Sequence, residues 1–536
     1  MDNASARTST RGPWTIAAFL LVIGLAACGP GSGGDPAVTS VTVTPSSLQL
    51  GVGATATLEA TVHASGNAVR TVTWTSSDDT VADVDAAGTV TGVAVGTATV
   101  TARSVHDPTR SASASVSVTT GSVASTAWTD QFGTAETESA GAVTTDAQGN
   151  VIAVGVTLGD LVGENAGSLD VFVRKYAPDG TVLWTDQFGT SARESVGAVT
   201  TDAAGNVLVT GGTEGDLAAP RVGNSDVYVR QYAPDGEVMW TIQFGTEQWD
   251  RGSSIAVDGD GNVIVAGNGI TAQAVGALSF PGFVRKFAPV PGGTLDELWT
   301  YAAQTEVSDL TIDPAGNVVA VGTDYVMDFG REIYVVKLAP DGSEAWANLY
   351  GTGATPETRF GPRDPVPDTR RPTELWENLA SAEDSALAVA SDAAGNVYVT
   401  GYVGAFDTGT GLDDHTAFVL KLAPNGDETW AVLFGDEYHT YLNGIAVAPD
   451  GTVVAVGNTT AMYSAHTPAG TENLIRALDP DGTILWTDAF GETGRDSLGD
   501  VAIDADGAIV IVGGTLGDLA AENLGMSDAF VRKLLP

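Results

Sequence analysis

The chain has a single cysteine, Cys28, among its 536 residues. One thiol cannot form an intrachain disulfide, so the fold must be held by packing. Positive charge is scarce as well: 24 Lys and Arg stand against 66 Asp and Glu, a formal charge of −42. Such a surface repels phosphate and excludes binding to DNA or RNA through the backbone. It keeps an exported protein soluble and attracts divalent cations, but it specifies no partner. The apolar run from Ile16 to Ala27 is too short to span a bilayer as a stable helix. No Ser-His-Asp order, P-loop or dinucleotide fingerprint is visible.

Glycine is abundant (66 residues), as are Thr, Val and Ala, which favours strands and tight turns. The stretch Asp170 to Thr190, D-V-F-V-R-K-Y-A-P-D-G-T-V-L-W-T-D-Q-F-G-T, returns from Asp226 with few changes. Each copy is two alternating apolar runs joined by Pro-Asp-Gly, the pattern of an antiparallel hairpin. The closing tryptophan occurs seven times: Trp128, Trp184, Trp240, Trp299, Trp346, Trp430 and Trp486. A period of about 56 residues marks a propeller or solenoid. A full unit has four strand signals, Ala140–Asp146, Val151–Gly155, Val171–Tyr176 and Val182–Phe188, and D-A-Q-G-N-type turns (Asp146 to Asn150) follow the first. The first copy is only a fourth strand, around Ala124–Phe132, whereas the last unit ends after its third, Ala529–Leu534. The early strand can therefore complete the last blade and remove two open edges.

Together, G-N-V, F-V-R-K-Y-A-P-D-G and W-T-D-Q-F-G-T resemble the seven-bladed propeller repeat family of bacterial surface proteins, over about 415 residues. The resemblance implies a seven-bladed β-propeller over residues 121–536. Seven equivalent tryptophans then read as packing between blades. Residues 38–120 carry short strand signals with V-T-W (72–74), S-S-D (76–78), G-T-V-T-G (88–92) and G-T-A (96–98), which resemble the group 2 bacterial immunoglobulin-like domain. That family implies a spacer or adhesion module, a β-sandwich of about seven strands with Trp74 in its core. The expected fold class is all-β, a sandwich followed by a propeller closed by an N-terminal strand.

Residues 1–27, with Arg7 and Arg11 before the apolar run, read as a targeting segment. L-A-A-C, ending at Cys28, resembles a bacterial lipobox, which implies a lipidated Cys28 as the mature N-terminus. The other reading is a cysteine left at the end of a signal peptide. Two or more acyl chains anchor a protein stably. Gly29 stands where inner-membrane retention would place Asp, which favours the outer membrane in a Gram-negative cell. The expected address is the cell envelope, periplasmic or surface-exposed, with residues 28–37 as a flexible tether.

Function is expected on the face carrying the long loops after the second strand of each unit and the connections between units. Glu138, Glu194, Asp250, Asp384 and Asp496 stand eight residues before the turn position, with Thr305 and Thr440 in the other two units. Repeat symmetry makes them a ring at the channel mouth that could hold Ca²⁺, or caps satisfied by backbone N–H groups and water. An insert carries Arg359, Arg363, Arg370, Arg371 and Trp376, a partner-binding loop or one pinned to the protein's own acids. His415, His439 and His466 lie on successive loops with Asp413, Asp414 and Asp436 nearby, a set that could hold zinc although no H-x-x-x-H spacing supports it. The resulting reading is a lipid-anchored envelope protein that recognises a surface polysaccharide, peptide or protein. The alternative is a propeller hydrolase or lyase acting on carbohydrate.

Overall fold

The computed structural model describes residues 37–535, apart from 46, 52–54, 95, 120–123, 270–280, 291–293, 304, 327–329, 351–381, 407–412, 435–438, 461–470 and 491–495. Among the described residues every regular element is a strand. The N-terminal part holds nine strands where the sequence pattern predicts about seven. Ala37–Thr44 pairs with Glu59–Ser65, and Pro45 breaks the chain before Ser47–Gly51. That third segment joins Ser111–Thr119, Gly96–Ser104 and Val72–Ser76 in a four-stranded sheet, and Thr55–Thr57, Thr89–Gly92 and Ala82–Val84 form another. Alternate residues of these strands (Val90, Val100, Val116 and Val118) meet in one core with Leu58, and Trp74 packs against it.

From Ser125 onward the strands form seven four-stranded antiparallel blades. Blade 1 runs outward through Glu138–Thr145, Val151–Thr157, Asp170–Tyr176 and Val182–Phe188. The inner strands of the later blades begin at Glu194, Arg251, Glu306, Ser385, His439 and Ser497. Each touches the next, and the last returns to the first, so the sheets close into a ring. Blade 7 takes Ser497–Ile503, Ile509–Thr515 and Asp528–Leu535 from the end of the chain and Ser125–Phe132 from the start. Ser125 lies opposite Leu535 and Phe132 opposite Ala529 in that antiparallel pair. A two-residue strand, Ala382–Glu383, links the edges of blades 4 and 5.

The second strands read as almost unbroken apolar runs because each blade is sandwiched between two others. In V-I-A-V-G-V-T of blade 1, both faces are covered. The fourth strands face solvent on one side, and Val182 and Leu183 are exposed. Between blades, the same fastening recurs. Trp184 Nε1 donates to the Pro234 carbonyl of the next blade's Pro-Asp-Gly turn at 3.1 Å. Its ring lies against Gly236, whose φ of 91° only glycine adopts without strain. Trp128, Trp299, Trp346 and Trp430 make the equivalent bond to Pro178, Pro340, Pro424 and Pro480 at 3.0–3.1 Å. Those carbonyls of Pro340, Pro424 and Pro480 also accept from Lys286, Lys337 and Lys421. Ring stacking adds to it, with Trp184 and Tyr232 centroids 5.6 Å apart.

All seven inner strands carry a bulge at the same step, after Ala140 in blade 1 and after Leu498 in blade 7. Asp309 and Asp500 directly follow it in blades 4 and 7. Asp500 Oδ2 accepts from Val143 N at 3.0 Å, and Asp309 accepts from Ser254 Oγ at 2.7 Å and Val389 N at 2.8 Å. Burial, with a smaller push from the charge of Asp309, raises the Asp500 pKa to about 7.

Two predictions follow from this packing. Trp184→Ala should lower the propeller's stability by about 2 kcal/mol, less than a fully buried Trp because the ring is half-buried. Its exposed neighbour in Leu183→Ala should shift stability by less than about 0.5 kcal/mol, both read from thermal melts. For Asp500 the folded protein holds a proton that the unfolded chain, with an ordinary value of 3.8, has released. Its contribution is therefore complete below about pH 4 and declines as the pH rises towards about 7. The Tm of Asp500→Asn relative to wild type should climb across that window and level off above it.

Candidate functional site

The connection from the fourth strand of one blade to the first of the next follows one rule in blades 7 to 1 and 1 to 2. In F-G-T-S-A-R-E, Thr190 donates to Glu194 through its N–H and its hydroxyl, each at 2.8 Å. Thr213, at the end of the second strand, donates to Glu194 Oε1 at 2.7 Å. Thr134 and Thr157 treat Glu138 in the same way. The expected ring acids therefore turn into the joints between blades. Glu138, Glu194, Asp250, Asp384 and Asp496 are each no more than 1% exposed. Asp384 accepts from Gly404 N at 3.2 Å. Among the described residues no three His, Cys, Asp or Glu side chains gather to hold a metal, so these acids do not form one ring of ligands. Thr305 and Thr440 occupy the same place in blades 4 and 6 and are also buried.

Blade 3 breaks the rule twice. Asp250 replaces the glutamate, and Gly269 (φ 109°) stands where Thr157 and Thr213 stand. The shorter acid keeps its Thr246 hydrogen bonds, 2.5 Å to N and 2.9 Å to Oγ1, but Asp250 Oδ1 has no partner. A Cβ at position 269 would lie 2.7 Å from that oxygen. The two changes leave a cavity of about 330 Å³ between blades 2 and 3, lined by Arg193, Glu214, Trp249, Asp250, Arg251 and Glu306 among others.

Each wall residue is placed by its turn or strand. Trp249 is 50% exposed, while its backbone bridges to Ser225. Ser225 Oγ donates to the Asp250 carbonyl at 2.9 Å, which fixes the turn carrying the indole. Arg251 Nη2 donates to the Val196 carbonyl at 2.8 Å and so ties the guanidinium to blade 2. Burial raises the Asp250 pKa against the pull of its Thr246 bonds, and the charge of Asp226 adds to the rise. An apolar ring face, two guanidiniums and three carboxylates thus share one small cleft. Such a cleft suits a polyhydroxylated ligand, with a flat surface to stack on and polar groups to orient it.

Of the histidines, His415 Nδ1 lies 2.6 Å from Tyr441 Oη, in an aromatic trio with Tyr402. The His439 side chain and His466 lie outside the described residues, as do Cys28 and the Arg359, Arg363, Arg370, Arg371 and Trp376 insert. The pocket's Trp249, Arg193, Arg251, Glu214 and Glu306 are not among the sequence-predicted site residues. One signal was present: Trp249 falls between units, outside the series of seven closing tryptophans, directly before the one aspartate paired with a glycine at 269.

Residues 37–111 match the bacterial Ig-like domain (group 2) family. A 69-residue segment, 13% of this chain, is 52% identical to 6% of a 3-O-alpha-D-galactosyl-alpha-L-arabinofuranosidase from Bifidobacterium longum subsp. longum. Over 391 residues, 64% of the chain is 24% identical to 26% of an uncharacterized WD repeat-containing protein, L264, of Acanthamoeba polyphaga mimivirus. The chain thus spans about a quarter or less of the length of these relatives. Among solved structures it is similar to polysaccharide lyase Uly1, at TM-score 0.42 and 8% identity, covering 74% of this chain and 89% of that one. It is also similar to puromycin hydrolase, at TM-score 0.41 and 14% identity, covering 71% and 51%.

Proposed function

We propose that this chain is a lipid-anchored cell-envelope protein whose propeller binds a carbohydrate in the cleft between blades 2 and 3. The observation that carries the reading is the local departure from the repeat. The junctions from blade 7 to 1 and from 1 to 2 share one rule, while this one exposes an indole beside paired charges and leaves Asp250 Oδ1 without a donor. A sugar ring stacked on Trp249 would present hydroxyls to Arg193, Arg251, Glu214 and Glu306. The immunoglobulin-like domain would act as a spacer between anchor and propeller. A surface polysaccharide fits this chemistry better than a peptide, because the small cleft sets an indole face beside several charged groups.

A second reading, a hydrolase or lyase acting on carbohydrate, is favoured by one observation. Asp250 is a buried carboxyl with a raised pKa at the floor of the cleft, the setting of a general acid. Its roles are separable by experiment. Calorimetry against a panel of envelope and plant oligosaccharides should find a ligand, and Trp249→Ala should weaken it about tenfold or more, about 1.4 kcal/mol per factor of ten. Unchanged affinity in Trp249→Ala would remove the cleft from the account. Release of reducing ends that disappears in Asp250→Asn would favour the enzyme. The anchor has its own check: labelled palmitate should enter the wild-type protein in bacterial cells and fail to enter Cys28→Ala.

A further inference from the structure

The junctions between blades share a backbone clamp. The N–H of a residue at or just before the start of a blade's inner strand donates to a carbonyl at the start of the third strand of the preceding blade. Glu138 reaches Ser527 at 2.8 Å, Glu194 reaches Leu169 at 2.9 Å, Asp250 reaches Ser225 at 2.9 Å and Asp384 reaches Arg331 at 3.2 Å. The clamp sets each of these acids beside the residue that follows the carbonyl: Asp528, Asp170, Asp226 and Glu332.

Around the ring the two positions change together. Glu138 goes with Asp528, Glu194 with Asp170, Asp250 with Asp226, Asp384 with Glu332 and Asp496 with Glu472. At the remaining junctions both are neutral, Thr305 with Pro281 and Thr440 with Thr416. None pairs an acid with a neutral residue. An acid needed only to satisfy its own turn would be indifferent to the residue across the junction. Two acids side by side in a dry joint repel each other, so a lone acid would be the better cap. The pairing makes sense only if each carboxylate needs the other.

Geometry at three junctions brings the oxygens together. A Cβ on Gly189 would collide with Asp170 Oδ1 and lie 2.8 Å from Glu194 Oε2. On Gly245 it would meet Asp226 Oδ1 and Asp250 Oδ2, the latter at 3.0 Å, and on Gly133 it would meet Asp528 Oδ1 and, at 2.8 Å, Glu138 Oε2. Asp170 is 1% exposed, and its Oδ1, aimed at Glu194, has no hydrogen-bond partner. Its other oxygen accepts from Ala166 N at 2.9 Å and Gln187 Nε2 at 3.0 Å. Glu194 accepts from three donors. Both acids thus act as hydrogen-bond acceptors, and two acceptors facing each other across a dry joint call for a cation between them. Among the described ion pairs no Lys or Arg reaches Asp170, Glu194, Asp226, Asp250, Asp528 or Glu138.

We propose that the junctions pairing Asp170 with Glu194, Asp226 with Asp250 and Asp528 with Glu138 each bind one hard divalent cation of the Ca²⁺ class between the two carboxylates, fastening neighbouring blades. Carboxylate oxygens without nitrogen or sulfur donors select such an ion over zinc, and water completes its shell. The two neutral junctions hold none. Neither Asp170 nor Asp528 lines the carbohydrate cleft, so the sites they form are separate from it, whereas the Asp226–Asp250 site shares Asp250 with the cleft.

The test uses the full chain stripped with EDTA and dialysed. Equilibrium dialysis with labelled Ca²⁺ should find several ions per chain, and millimolar Ca²⁺ should raise the Tm by several degrees more than Mg²⁺ at equal ionic strength. Asp170→Asn should remove one ion, and Asp528→Asn should independently remove another, so a folding failure in one variant leaves the other informative. An equal response to Ca²⁺ and Mg²⁺ with unaltered stoichiometry in both variants would mean loose attraction to the acidic surface and would overturn the proposal. So would a Tm indifferent to Ca²⁺ that rises on acidification to pH 5, since the pairs would then share protons instead.

Discussion

The ring depends on one contact, in which the indoles of Trp128, Trp184, Trp299, Trp346 and Trp430 lie on the glycine of the next blade's Pro-Asp-Gly or Pro-Asn-Gly turn. The turn needs a left-handed glycine, and the missing side chain at that glycine is what lets the indole approach. A single tripeptide therefore reverses the chain and forms the socket for the neighbouring blade. The proline carbonyl is left exposed on that turn, and the indole N–H claims it, so burying the ring strands no polar group. With no disulfide available, this fastening and the apolar faces of the second and third strands hold seven sheets together.

Buried charge is arranged around the same joints. Lys175 meets Asp146 at 2.9 Å, and Lys286, Lys337 and Lys533 meet Asp258, Asp313 and Asp504 at 2.7–2.9 Å. These aspartates also hold the backbone of the D-A-x-G-N turns, as when Asp146 accepts from Gln148 and Asn150. Several of the chain's few lysines are thus committed inside the protein. None of these four lysines pairs with the acids at the opposite rim, which concentrates negative charge in the joints.

The blade count, strand order and closing strand were legible because they rest on local signals repeated seven times: a turn sequence, an alternation and a tryptophan. The cleft was not, because it arises from an exception. Asp250 and Gly269 are unremarkable residues in isolation, and only their opposition in the register, two strands of one blade, opens space. The acids were legible as a periodic set, but their direction was not. Threonine donors from two sides draw Glu138 and Glu194 into the joint, and spacing along the chain does not reveal that a side chain is pulled inward. Their true neighbours, Asp170 and Asp528, belong to a different blade, a relation that only the closed ring creates.

Closure by Ser125–Phe132 has a mechanical consequence. Any pull arriving through the immunoglobulin-like domain enters the propeller at Ser125, on the outermost strand of blade 7. The strand runs antiparallel to Asp528–Leu535 with Ser125 facing Leu535, so the load falls first on the rungs nearest the end of the chain. The seam also joins the two strands farthest apart along the propeller sequence, Ser125–Phe132 and Asp528–Leu535, so it closes only when they are brought together. Until that pairing forms, the wheel lacks its closing seam, and losing either strand by proteolysis would return the molecule to the same open condition.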